Sequence, residues 1–353
     1  MVSYIVTGGS EFLRGRVVRQ LLDADRDAVV HVPTDRTGAT LLTLPAGVRV
    51  PQRDVPAIDH IVHLGPASPT AEQANHMTEL RWTLGSAARL GATLNYLSSV
   101  AVAGAHPGRF FEDDFDLGQP LTCAAHRLAF AAEGLVRHAR DVRWRIFRSG
   151  ILSGDSRTGE VDHGGGTAPF LAAIARLTGL PTELPVILPD WGTTNVVPVD
   201  YVASALAELV RRPGQHSRTF HLVNPARQGF ADLYAALARA AGAPRGIALP
   251  GSGILFDQLA RVPGYPLLRD HVMDLLGIPA HAPAQLRVPA EFIDDTTRAR
   301  LRHTGIAVPG FDSYADRLWT RWQREAEAEA APLALRTVHR GAAVAPRREL
   351  AEV

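Results

Sequence analysis

The first clear pattern in the chain is a change of hydrophobic period between residues 2 and 22. A short apolar run, Tyr4-Ile5-Val6, is followed at once by apolar positions at helical spacing, which are Phe12, Leu13, Val17, Val18, Leu21 and Leu22. The run predicts a buried strand, and the spaced positions predict an amphipathic helix. Thr7-Gly8-Gly9 lies between them and predicts a tight turn, because adjacent glycines are turn signals.

The same alternation of short apolar runs and helical patterns continues to about residue 224. Further strands are predicted at 29–32, 48–50, 58–64, 94–99, 144–148, 195–197 and 219–223, and helices at 72–90, 127–137 and 198–209. Strands that alternate with helices favour a parallel sheet that is covered on both faces. The predicted fold class is therefore α/β, with a Rossmann-type doubly wound parallel sheet over residues 1–224.

Beyond residue 224 the strand pattern fades and helices are predicted at 231–241, 253–259, 267–276 and 314–329. Residues 225–330 are therefore predicted to form a smaller, mostly helical substrate lobe beside the carboxyl ends of the strands. Residues 151–195 are expected to contribute to the substrate side. The last segment, 331–353, is polar and rich in arginine, and it is predicted to be a disordered tail.

Charge and cysteine content restrict the class of protein. The formal net charge of the 353-residue chain is +1, which gives no electrostatic basis for binding nucleic acid. A single cysteine, Cys123, excludes an intramolecular disulfide and fits a reducing, cytoplasmic environment. No apolar run reaches the roughly 18 residues that a membrane span requires. All 37 basic residues are arginine.

A strand, a glycine turn and a helix form the opening of a dinucleotide-binding βαβ unit. Such a unit predicts that Thr7, Gly8, Gly9 and Ser10 contact the diphosphate of a cofactor. Arg36 and Asp54 follow the second and third predicted strands, and they are candidates for contacting the ribose or a 2′-phosphate. Arg36 points to NADP; a solvated loop arginine is the alternative.

Several blocks resemble one known family. They are the opening TGGSEFL, Ser98-Ser99-Val100-Ala101-Val102-Ala103-Gly104, residues 148–159 (RSGILSGDSRTG), residues 196–202 (VVPVDYV), residues 219–222 (TFHL) and the segment from Phe311 to Trp322. The chain, over about residues 1–330, resembles the extended short-chain dehydrogenases/reductases, in the branch of fatty acyl-CoA and thioester reductases. The resemblance implies an NAD(P)-binding fold, a Tyr-x-x-x-Lys catalytic pair and a pocket for an apolar acyl group.

The glycine turn departs from that family's TGxxGxxG pattern. Glu11 stands at the second glycine position and Arg14 at the third. A carboxylate beside a diphosphate in a partly desolvated cleft costs on the order of a few kcal/mol. The departure predicts that ordinary NAD(P) binding is weakened or lost and that no cofactor is required. Weakened NADP(H) binding, or a variant loop that still binds through the helix N-terminus, is the alternative.

The catalytic pair is also missing. The segment Ala132-Glu133-Gly134-Leu135-Val136 matches the part of the family that follows the lysine, and it sets the register. Counting back places Ala129 at the lysine and Ala125 at the tyrosine. Two methyl groups then stand where the resemblance implies the proton donor and its activator, and no lysine exists elsewhere to substitute.

Other residues near this position are candidates for chemistry. Ser99 is expected to stabilise an oxyanion, and His126, with Arg127 beside it, is a candidate general acid or base. Ser98, Cys123, Ala125, Ala129, Asp155 and Arg157 are candidates for contacting the substrate. For Asp155 and Arg157 an ion pair within the loop is an equal alternative, and a small buried hydrophobe is the alternative for Cys123. The histidines lack the spacing of a metal site, so no metal is expected.

Three functions remain open at this point. The first is a non-redox enzyme, a cyclase, isomerase or lyase, that acts on an apolar acyl or polyketide-like substrate. The second is a catalytically silent binding or scaffold protein. The third is an NADPH-dependent reductase of acyl thioesters or aldehydes that uses an unusual proton donor. A small-molecule partner is expected in the enzymatic cases, and a homodimer is left open.

Overall fold

The computed structural model describes residues 2–33, 48–49, 57–66, 73–163, 165–188, 192–248, 262–278 and 282–341. In chain order its strands are β1 (Ser3–Gly8), β2 (Val29–His31), β3 (Val48–Arg49), β4 (His60–Leu64), β5 (Thr93–Ser99), β6 (Arg109–Phe110), β7 (Trp144–Ser149), β8 (Ile151–Ser153), β9 (Val186–Leu188), β10 (Thr193–Thr194), β11 (Val196–Pro198), β12 (Arg218–Leu222), β13 (Gln228–Gly229), β14 (Gly246–Ala248) and β15 (Glu291–Phe292). Its helices are α1 (Glu11–Ala24), α2 (Gln73–Leu90), α3 (Ala124–Arg137), α4 (Ala168–Leu177), α5 (Val199–Arg211), α6 (Phe230–Ala241), α7 (Tyr265–Leu276), α8 (Ala282–Leu286), α9 (Asp295–Leu301) and α10 (Ala315–Gly341). Two cofactor candidates, Arg36 and Asp54, and the helix predicted at 253–259 lie outside the described residues.

Seven parallel strands form the main sheet, in the order β12-β7-β5-β4-β1-β2-β3. The strand order reverses beside β1, which pairs with β2 on one side and β4 on the other. This topology confirms the predicted doubly wound α/β fold. Ligands of such sheets bind at the carboxyl ends of the strands next to the reversal.

The register aligns these carboxyl ends. Gly8 of β1 pairs with Leu64 of β4, which pairs with Leu97 of β5, and Ser99 pairs with Ser149 of β7. The glycine turn, the end of β4 and the serine pair 98–99 therefore lie along one edge of the sheet.

Helices cover both faces of the sheet. On one face α1 packs against α5 through buried residues such as Val17, Leu21, Val202 and Leu206. The other face is covered by α2 and α3, which bury Leu80 and Val136 among others. Because each buried aliphatic side chain contributes about 1.5–3 kcal/mol, the apolar spacing that predicts these helices also explains how they attach to the sheet.

A second core lies beyond the carboxyl edge. Buried residues of α4, α6 and α10 meet in it, among them Leu171, Leu237 and Leu318. Residues 151–195 therefore share a core with residues of the C-terminal part. The segment after 224 also returns to the sheet, since Leu301 of α9 packs in the core beside α1 and α5.

The last described helix is longer than the pattern predicts. The tail was expected to begin at residue 331, but α10 continues to Gly341. Residues 342–353 lie outside the described part of the chain. None of the described helices has the combination of length and hydrophobicity that a membrane crossing requires.

Candidate active site

A cavity of about 390 Å³ lies at the carboxyl edge of the sheet. The start of α1, the residues that follow β4, the end of β5, helix α3 and the lobe each contribute part of its wall. Its wall includes Ser10, Phe12, Gly65, Pro66, Tyr96, Ser99, Ala125, Leu128, Ala129, Val161, Phe170 and Leu286. The cavity therefore connects the N-terminus of α1 with an apolar wall of the lobe.

The glycine turn at one end has the backbone that its sequence predicts. Gly8 and Gly9 have φ values of 69° and 64°, in the left-handed region that favours glycine. A Cβ atom on Gly8 would lie 2.3 Å from the carbonyl oxygen of Leu64. Ser10 caps α1 by accepting a hydrogen bond from the N–H of Leu13 at 3.3 Å. The turn thus presents the N-terminus of a 14-residue helix at the cavity edge.

Glu11 and Arg14 occupy the two positions where the family pattern has glycine. Glu11 is the first residue of α1, and its side chain is exposed. Arg14 folds back, so that its Nη1 donates to the carbonyl oxygen of Gly8 at 3.3 Å. A guanidinium therefore lies against the turn, while the carboxylate faces solvent, where its charge is screened.

Helix α3 presents its small residues to the cavity. Ala125, Leu128 and Ala129 are in the wall, since residues three and four apart share a face of a helix. His126 and Arg127 are rotated away by about 100° per residue. His126 is buried and shares a hydrogen bond of 3.2 Å between its Nδ1 and Thr122 Oγ1, whereas Arg127 is exposed. Among the described residues the cavity wall does not include these two.

This placement does not favour a catalytic role for His126 and Arg127, which stays a prediction. Burial, followed by the charge of Arg127, lowers the pKa of His126. Cys123, which precedes α3 at its N-cap, is likewise absent from the described wall. The structure brings the two alanines to the cavity and leaves the residues with reactive side chains outside it.

The two serines at the end of β5 point in different directions. Both are in the cavity wall, but Ser98 is buried and its hydroxyl donates to Glu133 Oε2 at 3.2 Å. Ser99 is half-buried at the cavity, and its Oγ accepts the N–H of Ala101 at 3.1 Å. A hydroxyl that accepts still has its proton to donate. Ser99 is therefore able to donate a hydrogen bond to an oxygen atom bound in the cavity, while Ser98 belongs to the support of α3.

Asp155 and Arg157 form ion pairs outside the described wall of the cavity. Asp155 accepts from Arg16 Nε at 3.0 Å and from the backbone N–H groups of Arg157 and Thr158. These hydrogen bonds lower its pKa, against the raising effect of burial. Arg157 is exposed, with its Nε 3.8 Å from Asp200 Oδ2. The ion-pair alternative is met with a different partner, since Asp155 pairs with Arg16 on α1 rather than with Arg157. Substrate contacts of Asp155 and Arg157 stay a prediction.

Sequence reasoning missed a buried group behind the cavity wall. Tyr96 of β5 lies in the wall, and its hydroxyl is 3.2 Å from Nε2 of His76 on α2. His76 stacks on His63 of β4, with ring centroids 5.3 Å apart. His63 in turn shares a hydrogen bond of 2.8 Å between its Nδ1 and Thr7 Oγ1. Thr7 therefore contacts this group and supports the glycine turn from behind.

Burial dominates the electrostatics of this group. It lowers the pKa of His76 to about 4 and, with a contribution from His76, that of His63 to about 3. Burial, assisted by the charge of Glu133, raises the pKa of Tyr96 above its usual value. At neutral pH both imidazoles are therefore neutral and the phenol keeps its proton. Among the described residues, no group of three or more His, Cys, Asp or Glu side chains is arranged so that it could hold a metal ion.

Comparison with known proteins shows which folds this chain is similar to. An NAD-binding family model described as "Male sterility protein" matches residues 129–206. The terminal R domain of the myxalamid PKS-NRPS pathway superposes with a TM-score of 0.67 at 20% identity, covering 91% of this chain and 90% of that one. The chain has the fold of an extended short-chain dehydrogenase/reductase.

Further proteins of known structure have a similar fold. The thiolation-reductase di-domain of an archaeal non-ribosomal peptide synthetase has a TM-score of 0.62 at 13% identity, covering 93% of this chain and 76% of that one. UDP-glucuronic acid 4-epimerase from Bacillus cereus, in complex with NAD, has a TM-score of 0.61 at 10% identity, covering 92% and 99%. No curated protein matches the chain. The fold thus resembles that of thioester reductase domains.

These findings contradict the expectation that no cofactor is required. The family model that matches is an NAD-binding one, and the epimerase of the same fold holds NAD. The turn of this short-chain dehydrogenase/reductase fold also fits a dinucleotide. Its two glycines keep the space that a Cβ would fill, and Arg14 offers a positive charge beside them. The prediction gave too much weight to Glu11, because it assumed that the carboxylate faces the diphosphate.

Proposed function

We propose that the protein is an NAD(P)H-dependent reductase of a carbonyl group in an apolar acyl or polyketide-like substrate. One observation carries this proposal, namely that a single cavity joins the N-terminus of α1 at Ser10, directly after the glycine turn, with Ser99 and the apolar wall. A dinucleotide held at the turn and an apolar substrate held by the lobe would meet beside Ser99. The residues in this wall combine serine hydroxyls with aliphatic and aromatic groups, and such a wall suits a carbonyl group on an apolar chain.

Each part of the wall has a task in this function. Gly8, Gly9 and Ser10, with the N-terminus of α1, would hold the diphosphate through backbone N–H groups. The bound dinucleotide supplies a hydride equivalent to the substrate. Ser99 would donate a hydrogen bond to the carbonyl oxygen, where negative charge develops in the transition state. Phe170 and Leu286 would hold the apolar chain and exclude water.

A rearrangement without net hydride transfer is the second candidate. The observation that favours it is the presence of Ala125 and Ala129 in the wall, where the resemblance implies a tyrosine and a lysine. Two methyl groups leave room for a folded acyl chain and supply no proton. In that case the dinucleotide would be retained, and Ser99 would polarise the substrate for cyclisation, isomerisation or elimination.

Two measurements distinguish the candidates. Nucleotide fluorescence during titration of the purified protein with NADPH and NADH gives the dissociation constants. NADPH oxidation at 340 nm is then followed with decanal and with a decanoyl thioester as probes. A reductase oxidises one NADPH for each aldehyde reduced, whereas a rearrangement changes a substrate without consuming NADPH. Failure to bind either dinucleotide would contradict both candidates.

A further inference from the structure

The extended short-chain dehydrogenase/reductase fold of this chain needs a proton donor if it reduces a carbonyl group, and Ala125 and Ala129 cannot supply one. The phenol of Tyr96 is in the wall of the same cavity. It lies in β5, three residues before Ser99. Because neighbouring residues of a strand alternate between the two faces of the sheet, Tyr96 and Ser99 approach the carboxyl edge from opposite faces.

Gly65 opens the path from the cavity to this phenol. It follows β4 and lies in the cavity wall beside Pro66. A Cβ placed on Gly65 would be 4.0 Å from the hydroxyl oxygen of Tyr96 and 2.6 Å from the carbonyl oxygen of Leu97. A larger side chain at this position would therefore stand against the hydroxyl. Glycine leaves the oxygen of an otherwise buried side chain within reach of a bound molecule.

A second titratable group adjoins the phenol on its other side. Nε2 of His76 is 3.2 Å from the Tyr96 hydroxyl, and both side chains are almost fully buried. The direction of this bond depends on the tautomer of the neutral His76 ring. The tautomer with its proton on Nε2 donates to the Tyr96 oxygen, and it leaves the phenol proton free for an oxygen atom bound in the cavity. His63 stacks on both rings, at 5.3 Å from His76 and 6.0 Å from Tyr96. The pair is thus held in one orientation by packing from β4.

We propose that Tyr96 is the proton donor of the reductase and that His76 returns a proton to it after each turnover. This inference rests on the proposed function. Tyr96 would contact the substrate oxygen and is a catalytic residue in that sense. His76 acts through Tyr96, and it is a relay and positioning residue.

The step balances as follows. The carbonyl carbon receives the hydride equivalent, the C=O π electrons move to oxygen, and the oxygen takes the proton from Tyr96 Oη. The carbonyl becomes a hydroxyl, the dinucleotide is oxidised and a phenolate remains. Nε2–H of His76 then gives its proton to the phenolate while Nδ1 takes one up from water, so the ring stays neutral and one proton is drawn from solvent in each turnover. Transfer of the ring proton from Nδ1 back to Nε2 through water restores the starting tautomer.

Three variants test the inference. Tyr96→Phe removes only the hydroxyl, and His76→Gln removes the titratable ring. Tyr4→Phe is the matched control, because Tyr4 is a fully buried phenol of β1 in the same sheet and is outside the described cavity wall. We expect kcat for decanal to fall about 10²–10⁴-fold in Tyr96→Phe, the usual contribution of general acid catalysis. The dissociation constant of NADPH should be unchanged in this variant, and Tyr4→Phe should behave like the wild type.

The relay has its own readouts. His76→Gln should lower kcat for decanal, because the phenolate then regains its proton more slowly, while KM for decanal and the dissociation constant of NADPH stay the same. The titratable groups that face the pair are His63 from β4 and Glu133 from α3. In protein labelled with ¹⁵N-histidine, the Nε2 resonance of His76 should shift when Tyr96→Phe removes its hydrogen bond, with no substrate present.

The outcomes separate this inference from the proposed function. A Tyr96→Phe enzyme that reduces decanal as fast as the wild type overturns the donor and leaves the reductase standing. An unshifted Nε2 resonance in Tyr96→Phe overturns the pair. A wild-type protein that binds NADPH but oxidises none with either probe overturns the reductase and the donor together.

Discussion

At the scale of single residues, the side chains around the glycine turn decide how a dinucleotide would be held. Glu11 is exposed, and Arg14 donates to the carbonyl oxygen of Gly8. Their charges oppose each other near the expected diphosphate. The guanidinium is the closer of the two to the turn, so its attraction should exceed the repulsion from a solvated carboxylate.

The two charges should therefore have opposite effects on the affinity for NADPH. Arg14→Gln should weaken NADPH binding about 2- to 5-fold and Glu11→Gln should tighten it by less, because partly exposed charge pairs contribute up to about 1 kcal/mol. Fluorescence titration of NADPH at low and high salt checks both effects, and both should shrink in high salt. Arg19→Gln is the control, since Arg19 is exposed further along α1. Equal affinities for Arg14→Gln and Arg19→Gln would contradict the role of Arg14.

At the scale of elements, the position of α3 determines which residues reach the cavity. Glu133 of α3 is completely buried, and it accepts from Arg148 of β7 at 2.5 and 3.1 Å. Nε of Arg137, which lies on the same helix, donates a further hydrogen bond of 2.9 Å to Oε1 of Glu133. Ser98 of β5 donates to Glu133 as well. This network fixes α3 on two strands, and it places Ala125 and Ala129 at the cavity.

Breaking this network should be costly. Glu133→Gln leaves the buried guanidinium of Arg148 without its counter-charge, and loss of one partner of a buried pair costs about 3–5 kcal/mol. Urea denaturation measures the loss in free energy of unfolding. Glu208→Gln is the matched control, because Glu208 pairs with Arg212 at 2.7 Å on partly exposed α5 and should cost less than about 1 kcal/mol. Similar losses in the free energy of unfolding for the two variants would contradict the larger contribution expected of the buried network.

At the scale of the whole molecule, several neutral histidines are enclosed by the sheet and its helices. Burial lowers the pKa of His60 and His76 to about 4, that of His63 to about 3 and that of His221 well below its usual value. Unfolding exposes these rings, which then take up protons below about pH 6.5. The unfolded state therefore binds more protons than the folded state between about pH 6.5 and pH 4.

The free energy of unfolding should therefore decrease as the pH is lowered. The stabilisation is fully present above about pH 6.5 and is lost progressively as the pH falls toward 4, since unfolding is favoured wherever the unfolded state binds more protons. Urea denaturation between pH 7.5 and pH 4.5 (roughly the range that spans these values) measures the slope. His60→Phe, which keeps a ring stacked on Tyr4, should make the slope shallower. Exposed His303 provides the control His303→Gln, which should leave it unchanged.

The local sequence determined most of the fold. Apolar period, glycine position and chain order predicted the strand, turn and helix from Ser3 to Ala24, the parallel sheet and three of the helices that follow residue 224. The sequence alone also placed Ala125 and Ala129 in one motif, and the structure sets both in the cavity wall. These features depend on residues close together along the chain, where backbone preference and side-chain period act directly.

Only the tertiary structure decided which side chains meet. The rotation of α3 took His126 away from the cavity, and packing paired Asp155 with Arg16, 139 residues away along the chain. The contact between Tyr96 and His76 arises because β5 and the start of α2 come together at the edge of the sheet. Such contacts depend on the register of strands and the orientation of helices, which a one-dimensional pattern constrains only through the face that it buries.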